Sequence, residues 1–278
     1  MTVRIITDTN ADIDRRLAEQ LGVDAIVSTY VIFGEKTFRS IDLTPAEFYA
    51  MLKSDPNFPK TSQPSIGDCA AVYERFKGEE VLSIHISREL SGTIASAEAA
   101  AAMMNGDPRI TIIDTRQVSA GQALLVLEAV KMAKQGARAE EIKSCIESLI
   151  PRTRVHFVLE TLENLRRGGR IGGAQALLGT MLQMKPILTI KDGRVEPLER
   201  VRTFNKAVER LKEIVVSDLR HVSELRIFVL HAAAPQLGEA LASGIAAALG
   251  VPKPMMLEIG PTIATHVGPG AVGVGYIA

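Results

Sequence analysis

Short β-branched runs alternate with longer amphipathic stretches from the start of the chain, a pattern that predicts an α/β protein. VRIIT (3–7) reads as a buried strand, followed by a polar turn and a helix over 12–21. DAIVSTYVIF (24–33) is a second extended run. DLTPAEFYAMLK (42–53) carries its own helix start, with Thr44 as N-cap, Pro45 at the first helical position and Glu47 closing a capping box. Helix 66–77, strand 81–86, helix 91–104, strand 109–114 and helix 121–135 follow. This half is expected to form a parallel sheet with helices on both faces.

A helix over 139–149 stops near Pro151, and the pattern then changes. Strand 154–159 leads through LRRGGRIGG (165–173) to KPILTIKDGRVEPLERV (185–201), a hairpin in which Asp192-Gly193 separates two alternating runs. Helix 205–219, strand 224–231, helix 235–249 and strands at 254–258 and 271–277 complete a mixed sheet with helices. The boundary falls near 150–155. It gives a unit 1–152 with the Thr61 and Ser91 loops and a unit 153–278 with the His266 loop.

Composition narrows the function classes. The 278 residues hold 32 Lys+Arg and 32 Asp+Glu, so no net field recruits nucleic acid. Aromatic residues are 4% and Trp is absent, which argues against base-stacking platforms. Cys69 and Cys145 share no metal or redox spacing and read as free thiols of a reducing compartment. The first residues show no secretory apolar core and no apolar run reaches membrane-spanning length, so a cytoplasmic protein is expected.

Four loops combine hydroxyls and glycines where strands give way to helices: Thr7-Asp8-Thr9-Asn10, Thr61-Ser62-Gln63-Pro64-Ser65, Ser91-Gly92-Thr93 and GPTIATHVGPGAVG (260–273). Taken singly, such residues serve as helix N-caps and turns. Taken together, they sit where open α/β sheets bind ligands, and ISRELSGTIASA (86–97) then offers either a nucleophile with its support or a cradle for an anion. GPGAVG lies before a strand near the end of the chain, outside the context of a dinucleotide site. His85, His156 and His231 fall in or beside apolar strands as core residues, and His221 lies in a polar linker. His266, among glycines and hydroxyls, is either a ligand contact or a loop-structuring group. No HxH or HExxH pairing points to a metal, and no cofactor is expected.

The loops also carry a resemblance. TDTNADI (7–13), TSQPSIGD (61–68), HISRELSGTIASA (85–97), IIDTRQVSAGQ (112–122), LENLRRGGRIGG (162–173), KPILTIKDGRV (185–195), Arg202-Thr203 and IGPTIATHVGPGAVGVGY (259–276) resemble, in order and over the whole chain, motifs of the DegV family. These are bacterial fatty-acid-binding proteins that act as acyl-carrying subunits of fatty acid kinase. The resemblance implies two α/β domains and one long-chain fatty acid, its carboxylate held by hydroxyls and its tail buried. It implies no catalysis by this chain, a separate ATP-dependent kinase subunit, a place in phospholipid metabolism, and transient membrane contact. Carried over by position, Thr61 and Ser91 would bond the carboxylate, with Ser62 and Gly92 beside them and His266 approaching the same head group. Arg170 and Arg202 would face the kinase or its phosphate. Two places depart from the family pattern: Thr9 stands where serine is common, and VSTYVIFGEKTFRSIDL (27–43) lacks the usual proline and acidic residue, which bears on chain-length preference.

On this reading the helix beginning at Ser91 adds its positive end, and a protonated His266 with a raised pKa pairs with the carboxylate. The tail is expected along ALLGTMLQM (176–184), with Met181 and Met184 as adaptable lining, and along AIVSTYVIF (25–33) and FVLHAAA (228–234). The main rival is a serine hydrolase or acyltransferase using Ser91, His266 and an acid such as Asp8 or Asp114, although no GxSxG elbow is present. A third reading is a binder of another small anion with no tail.

Overall fold

A computed structural model describes residues 3–180 and 184–278. The chain runs β1 (Val3–Asp8), α1 (Arg15–Leu21), β2 (Ala25–Val27), β3 (Tyr30–Phe33), β4 (Lys36–Arg39), α2 (Pro45–Ser54), β5 (Lys60–Ser62), α3 (Ile66–Tyr73), β6 (Glu80–His85), α4 (Thr93–Met103), β7 (Arg109–Asp114), α5 (Ala120–Lys134) and α6 (Ala139–Leu149). It continues through β8 (Thr153–Val158), α7 (Glu163–Arg167), β9 (Lys185–Lys191), β10 (Arg194–Val201), α8 (Phe204–Leu219), β11 (Arg226–His231), α9 (Pro235–Leu249), β12 (Met255–Glu258), α10 (Pro261–Val267) and β13 (Val272–Ile277).

Strands β2-β1-β6-β7 form the expected all-parallel sheet. Successive residues face opposite sides of a strand. Ile5, Leu82 and Ile84 therefore join one apolar cluster with α5 and α6, while Ile6 and Val81 join another with Cys69, Tyr73, Ala97 and Ala100 of α3 and α4. Helices thus cover both faces. Strands β10-β9-β8-β13-β11-β12 form the mixed sheet, with α8 and α9 packed on one face. Helix α5 packs against both sheets. Its start presses so close to β13 that a Cβ on Gly275 would overlap Ala120, which fixes glycine there. The largest apolar cluster consequently runs through both halves of the chain.

Four expectations need correction. The 24–33 run is two strands, because Ser28 and Thr29 turn the chain from the parallel sheet into a separate antiparallel sheet, β4-β3-β5, which places Thr61 on a strand. The first helix starts at Arg15, with Asp14 as its N-cap, since Asp12 adopts a left-handed φ of 54°. The 260–273 loop contains α10: Pro261 occupies the first helical position and Gly268 (φ 74°) ends it. His266 is therefore a helical residue. The apolar helix at 176–184 is a 3-10 helix over Gly172–Thr180. Met181 lies outside the described residues. The Thr44–Glu47 capping box and the Asp192-Gly193 hairpin stand as read.

Candidate functional site

A cavity lies between the loops after β1, β2, β6 and β7 and the inner face of the mixed sheet. It has about 910 Å³ of space between atoms, part of it continuous with solvent, but the centre of a water molecule can reach only about 100 Å³. The space is therefore narrow. Val155, Phe157, Ile190, Val195, Leu230 and Ile259 give it an apolar wall. Thr61, Ser62, Gln63, Ser91, Arg170 and His266 gather as one polar group on its lining.

Each of these side chains is held by structure around it. Thr61 pairs with Val31 in the small sheet, and its Oγ1 lies 2.9 Å from His266 Nε2 across 205 residues of chain. Ser91 sits in a tight turn in which both Leu90 N–H and Ser91 N–H donate to Ser87 O. Ser87 Oγ in turn donates to Gly193 O, and Arg194 pairs with Glu89, so the hairpin turn grips the loop from the other half of the chain. Ser91 Oγ lies 2.8 Å from Thr93 Oγ1. Arg170 donates to Leu90 O and Gly168 O. Helix α4 begins at Thr93 with Gly92 as its cap, rather than at Ser91. Gly92 does not line the cavity; a Cβ there would stand 2.8 Å from the Gln63 amide, so its smallness seats Gln63. Arg202 is exposed and lies off the lining.

Burial pushes the His266 pKa down to about 4, with the Arg170 cation adding to the shift. The imidazole is therefore neutral in the folded chain, chiefly because burial disfavours its charged form; the raised pKa is expected of a ring paired with a bound carboxylate. The folded state keeps His266 neutral, whereas the unfolded chain binds a proton below the ordinary value of 6.5. Its contribution to stability is therefore complete above pH 6.5 and is lost as pH falls toward 4. His156, also lowered to about 4 by burial, acts in the same sense, while the Asp12 carboxyl, raised by burial to about 7, acts in the opposite one. His266→Gln removes one of these opposing contributions. Denaturant melts should show the variant losing less stability than the parent between pH 7 and 4.5; equal losses would refute a neutral His266.

Gly168 backs onto the same imidazole, and a Cβ there would overlap His266 Nδ1. Its φ of −76° suits any residue. Gly168→Ala should therefore act sterically, costing about 1–3 kcal/mol of stability and moving the His266 ¹⁵N resonances. An unchanged melt and spectrum would mean that the ring has room to yield.

The hydrolase constellation is not assembled. His266 Nδ1 is buried without a hydrogen-bond partner, so no acid orients the ring. Asp8 instead binds His85 Nδ1 at 2.9 Å, and Asp114 pairs with Arg88. An Asp8–His85–Ser83 row does exist, with His85 Nε2 2.7 Å from Ser83 Oγ, but all three are fully buried and Ser83 Oγ meets Tyr73. It is a structural polar network that no substrate reaches.

Of the three segments expected to line a tail, only Thr29 and Leu230 do so, together with none of the described residues of 176–184. The wall comes instead from alternate residues of the mixed sheet and from one face of α10, residues 262, 263, 266 and 267. Alternation in β8 signals Val155 and Phe157 as one face, but not which face meets the cavity.

A family model described as an uncharacterised protein of the DegV family matches residues 2–278. The chain belongs to the DegV family. A DegV domain-containing protein of Halalkalibacterium halodurans is 36% identical over 99% of this chain and 98% of its own length. Among solved structures, a fatty-acid-binding DegV family protein from Thermus thermophilus superimposes with a TM-score of 0.92 at 38% identity, covering 100% of both chains. The DegV fatty acid binding protein of Bacillus subtilis does so with a TM-score of 0.90 at 31% identity, over 100% of this chain and 99% of that one. A stearic-acid-binding protein from Eubacterium ventriosum gives 0.90 at 28%, over 99% and 98%. The mixed α/β fold is thus the DegV fold. Among the described residues no group of side chains could hold a metal ion, and no helix is long and apolar enough to cross a membrane.

Proposed function

We propose that this DegV chain binds a long-chain fatty acid in the cavity and presents its carboxylate to a separate kinase subunit. The observation that carries the reading is a narrow space with a largely apolar wall whose lining also holds the Thr61–His266 contact and Ser91. A small-anion site would have no use for that depth of apolar wall.

The head group follows from proton accounting. With His266 neutral and Nδ1 unpartnered, a proton on Nε2 avoids stranding a buried N–H donor. Nε2–H then donates to Thr61 Oγ1, and the threonine hydroxyl is free to donate to a carboxylate oxygen. Ser91 Oγ can accept from Thr93 and donate its own proton to the second oxygen. Ser62 and the backbone at Gly92 flank them, and Arg170 adds a cation nearby. At roughly 0.8 kcal/mol per buried methylene, a sixteen-carbon tail contributes on the order of 10 kcal/mol before ordering costs.

The chain performs no chemistry in this scheme. In the partner, a carboxylate oxygen attacks the γ-phosphorus of ATP, and acyl phosphate and ADP result. Arg170 at the polar end and exposed Arg202 are assigned to the contact with that partner or its phosphate. The reading treats 1–152 and 153–278 as two domains with the site between them, working in the cytoplasm with transient access to lipid membranes. Its support is the family resemblance and the fatty acids bound by the similar structures. Calorimetric titration with hexadecanoic acid tests the binding step. One acid per chain is expected, and heats no larger than dilution would refute it.

A further inference from the structure

The cavity has a second group of polar side chains, apart from the carboxylate cradle. Asn10, Thr29, Ser119 and Thr262 all line it. Thr262 stands four residues before His266 on α10, so the two share a face about 5–6 Å apart. The second group therefore lies one helical turn from the first. It ties the N-terminal loops to α10: Thr9 Oγ1 meets Thr29 Oγ1 at 2.7 Å, and Thr29 Oγ1 meets Thr262 Oγ1 at 2.6 Å. Asp12 accepts from Ser119 Oγ and from Gly260 N–H at the cap of the same helix.

Bonding capacity is left over here. The three threonine hydroxyls bring three protons to two mutual contacts, so one proton has no acceptor within the row. Thr29 N–H already donates to Thr9 Oγ1. Thr262, at the cavity end, is where the remaining proton can be used. Asn10 supplies the complement. Its Nδ2 donates to the Asp8 carboxylate at 2.6 Å, which fixes the amide orientation. Among the described residues no donor reaches its Oδ1. Asn10 is 1% exposed and lines the cavity, and this oxygen is not sealed in by neighbouring atoms. Thr262 Oγ1 can thus offer a donor, and Asn10 Oδ1 an acceptor, to the cavity that both residues line. A carboxylate, which only accepts, would be repelled by Asn10 Oδ1; a hydroxyl, which both donates and accepts, satisfies both groups.

We propose that Asn10 and Thr262 form a hydroxyl-recognising station, and that the ligand class of this chain includes long-chain acids hydroxylated close to the carboxyl end. This rests on the fatty acid reading above and refines its substrate class. With an unsubstituted acid, the same two groups hold a water molecule.

The test is a competition series on the full chain: hexadecanoic acid, 3-hydroxyhexadecanoic acid, octadecanoic acid and 12-hydroxyoctadecanoic acid. The 3-hydroxy acid should bind at least as tightly as hexadecanoic acid. The 12-hydroxy acid should bind roughly tenfold or more weakly than octadecanoic acid, because its hydroxyl is buried against apolar wall without a partner. In Thr262→Val, nearly isosteric, the affinity of the 3-hydroxy acid relative to hexadecanoic acid should fall roughly tenfold from its parental ratio; Thr262→Ser should restore that ratio. Equal penalties for the 3- and 12-hydroxy acids in the parent would overturn the station while leaving the fatty acid reading intact. Failure of hexadecanoic acid itself to bind would overturn that underlying reading.

Discussion

Replacing Thr61 by valine and Ser91 by alanine together is expected to weaken hexadecanoic acid binding by between two and four decades. Each hydroxyl is assigned one hydrogen bond to a carboxylate oxygen, and a bond to a charged group contributes about 1.5–3 kcal/mol. Both variants should fold, although Thr61→Val also removes the acceptor of His266 Nε2–H and should cost about 1–3 kcal/mol of stability. Valine is at home on a strand such as β5, and Ser91 lies in a turn whose backbone bonds to Ser87 remain. Each single variant should lose about half of the combined free energy unless the two oxygens couple, in which case the double variant departs from additivity. A folded double variant with parental affinity would remove the carboxylate from this end of the cavity.

Shortening the ligand should have an effect of similar size from the other end. Decanoic acid has six fewer methylenes than hexadecanoic acid and is expected to bind about 5 kcal/mol more weakly, between three and four decades. The loss should be regular down the series, because Val155, Phe157, Ile190, Val195 and Leu230 offer continuous apolar wall and no further charge. A flat dependence on chain length would mean that the tail stays outside, and the small-anion reading would replace ours. The two experiments are independent, since the first changes donors at a fixed tail and the second changes the tail at fixed donors.

Much of this arrangement was legible in the sequence. The parallel half, the hairpin at Asp192-Gly193 and the capping box at Thr44 carry strong local signals, and the hydroxyl loops at 61–65 and 91–93 announce themselves by composition. What was hidden has physical causes. Strands β4 and β5 are four and three residues long and mostly polar, so no alternation marks them. Helix α10 is only seven residues long, opens on Pro261 and is flanked by Gly260 and Gly268, so it reads as a loop until Pro261 and Gly268 are recognised as marking its two ends. The lining was misassigned because apolar runs identify what is buried, not what faces a particular space. Leu230 was found that way, but Val155 and Ile190 needed the sheet. The buried Asp8–His85–Ser83 network could not be told from a catalytic one without its depth. The lowered pKa of His266 depends first on its burial and then on Arg170, which arrives from another loop ninety-six positions away in sequence.

Native mass spectrometry of the gently purified chain bears most directly on the central claim. The account expects a non-covalent addition with the mass of one C14–C20 acid, or the uptake of one equivalent when hexadecanoic acid is supplied. A bare chain that stays bare in excess acid would contradict it.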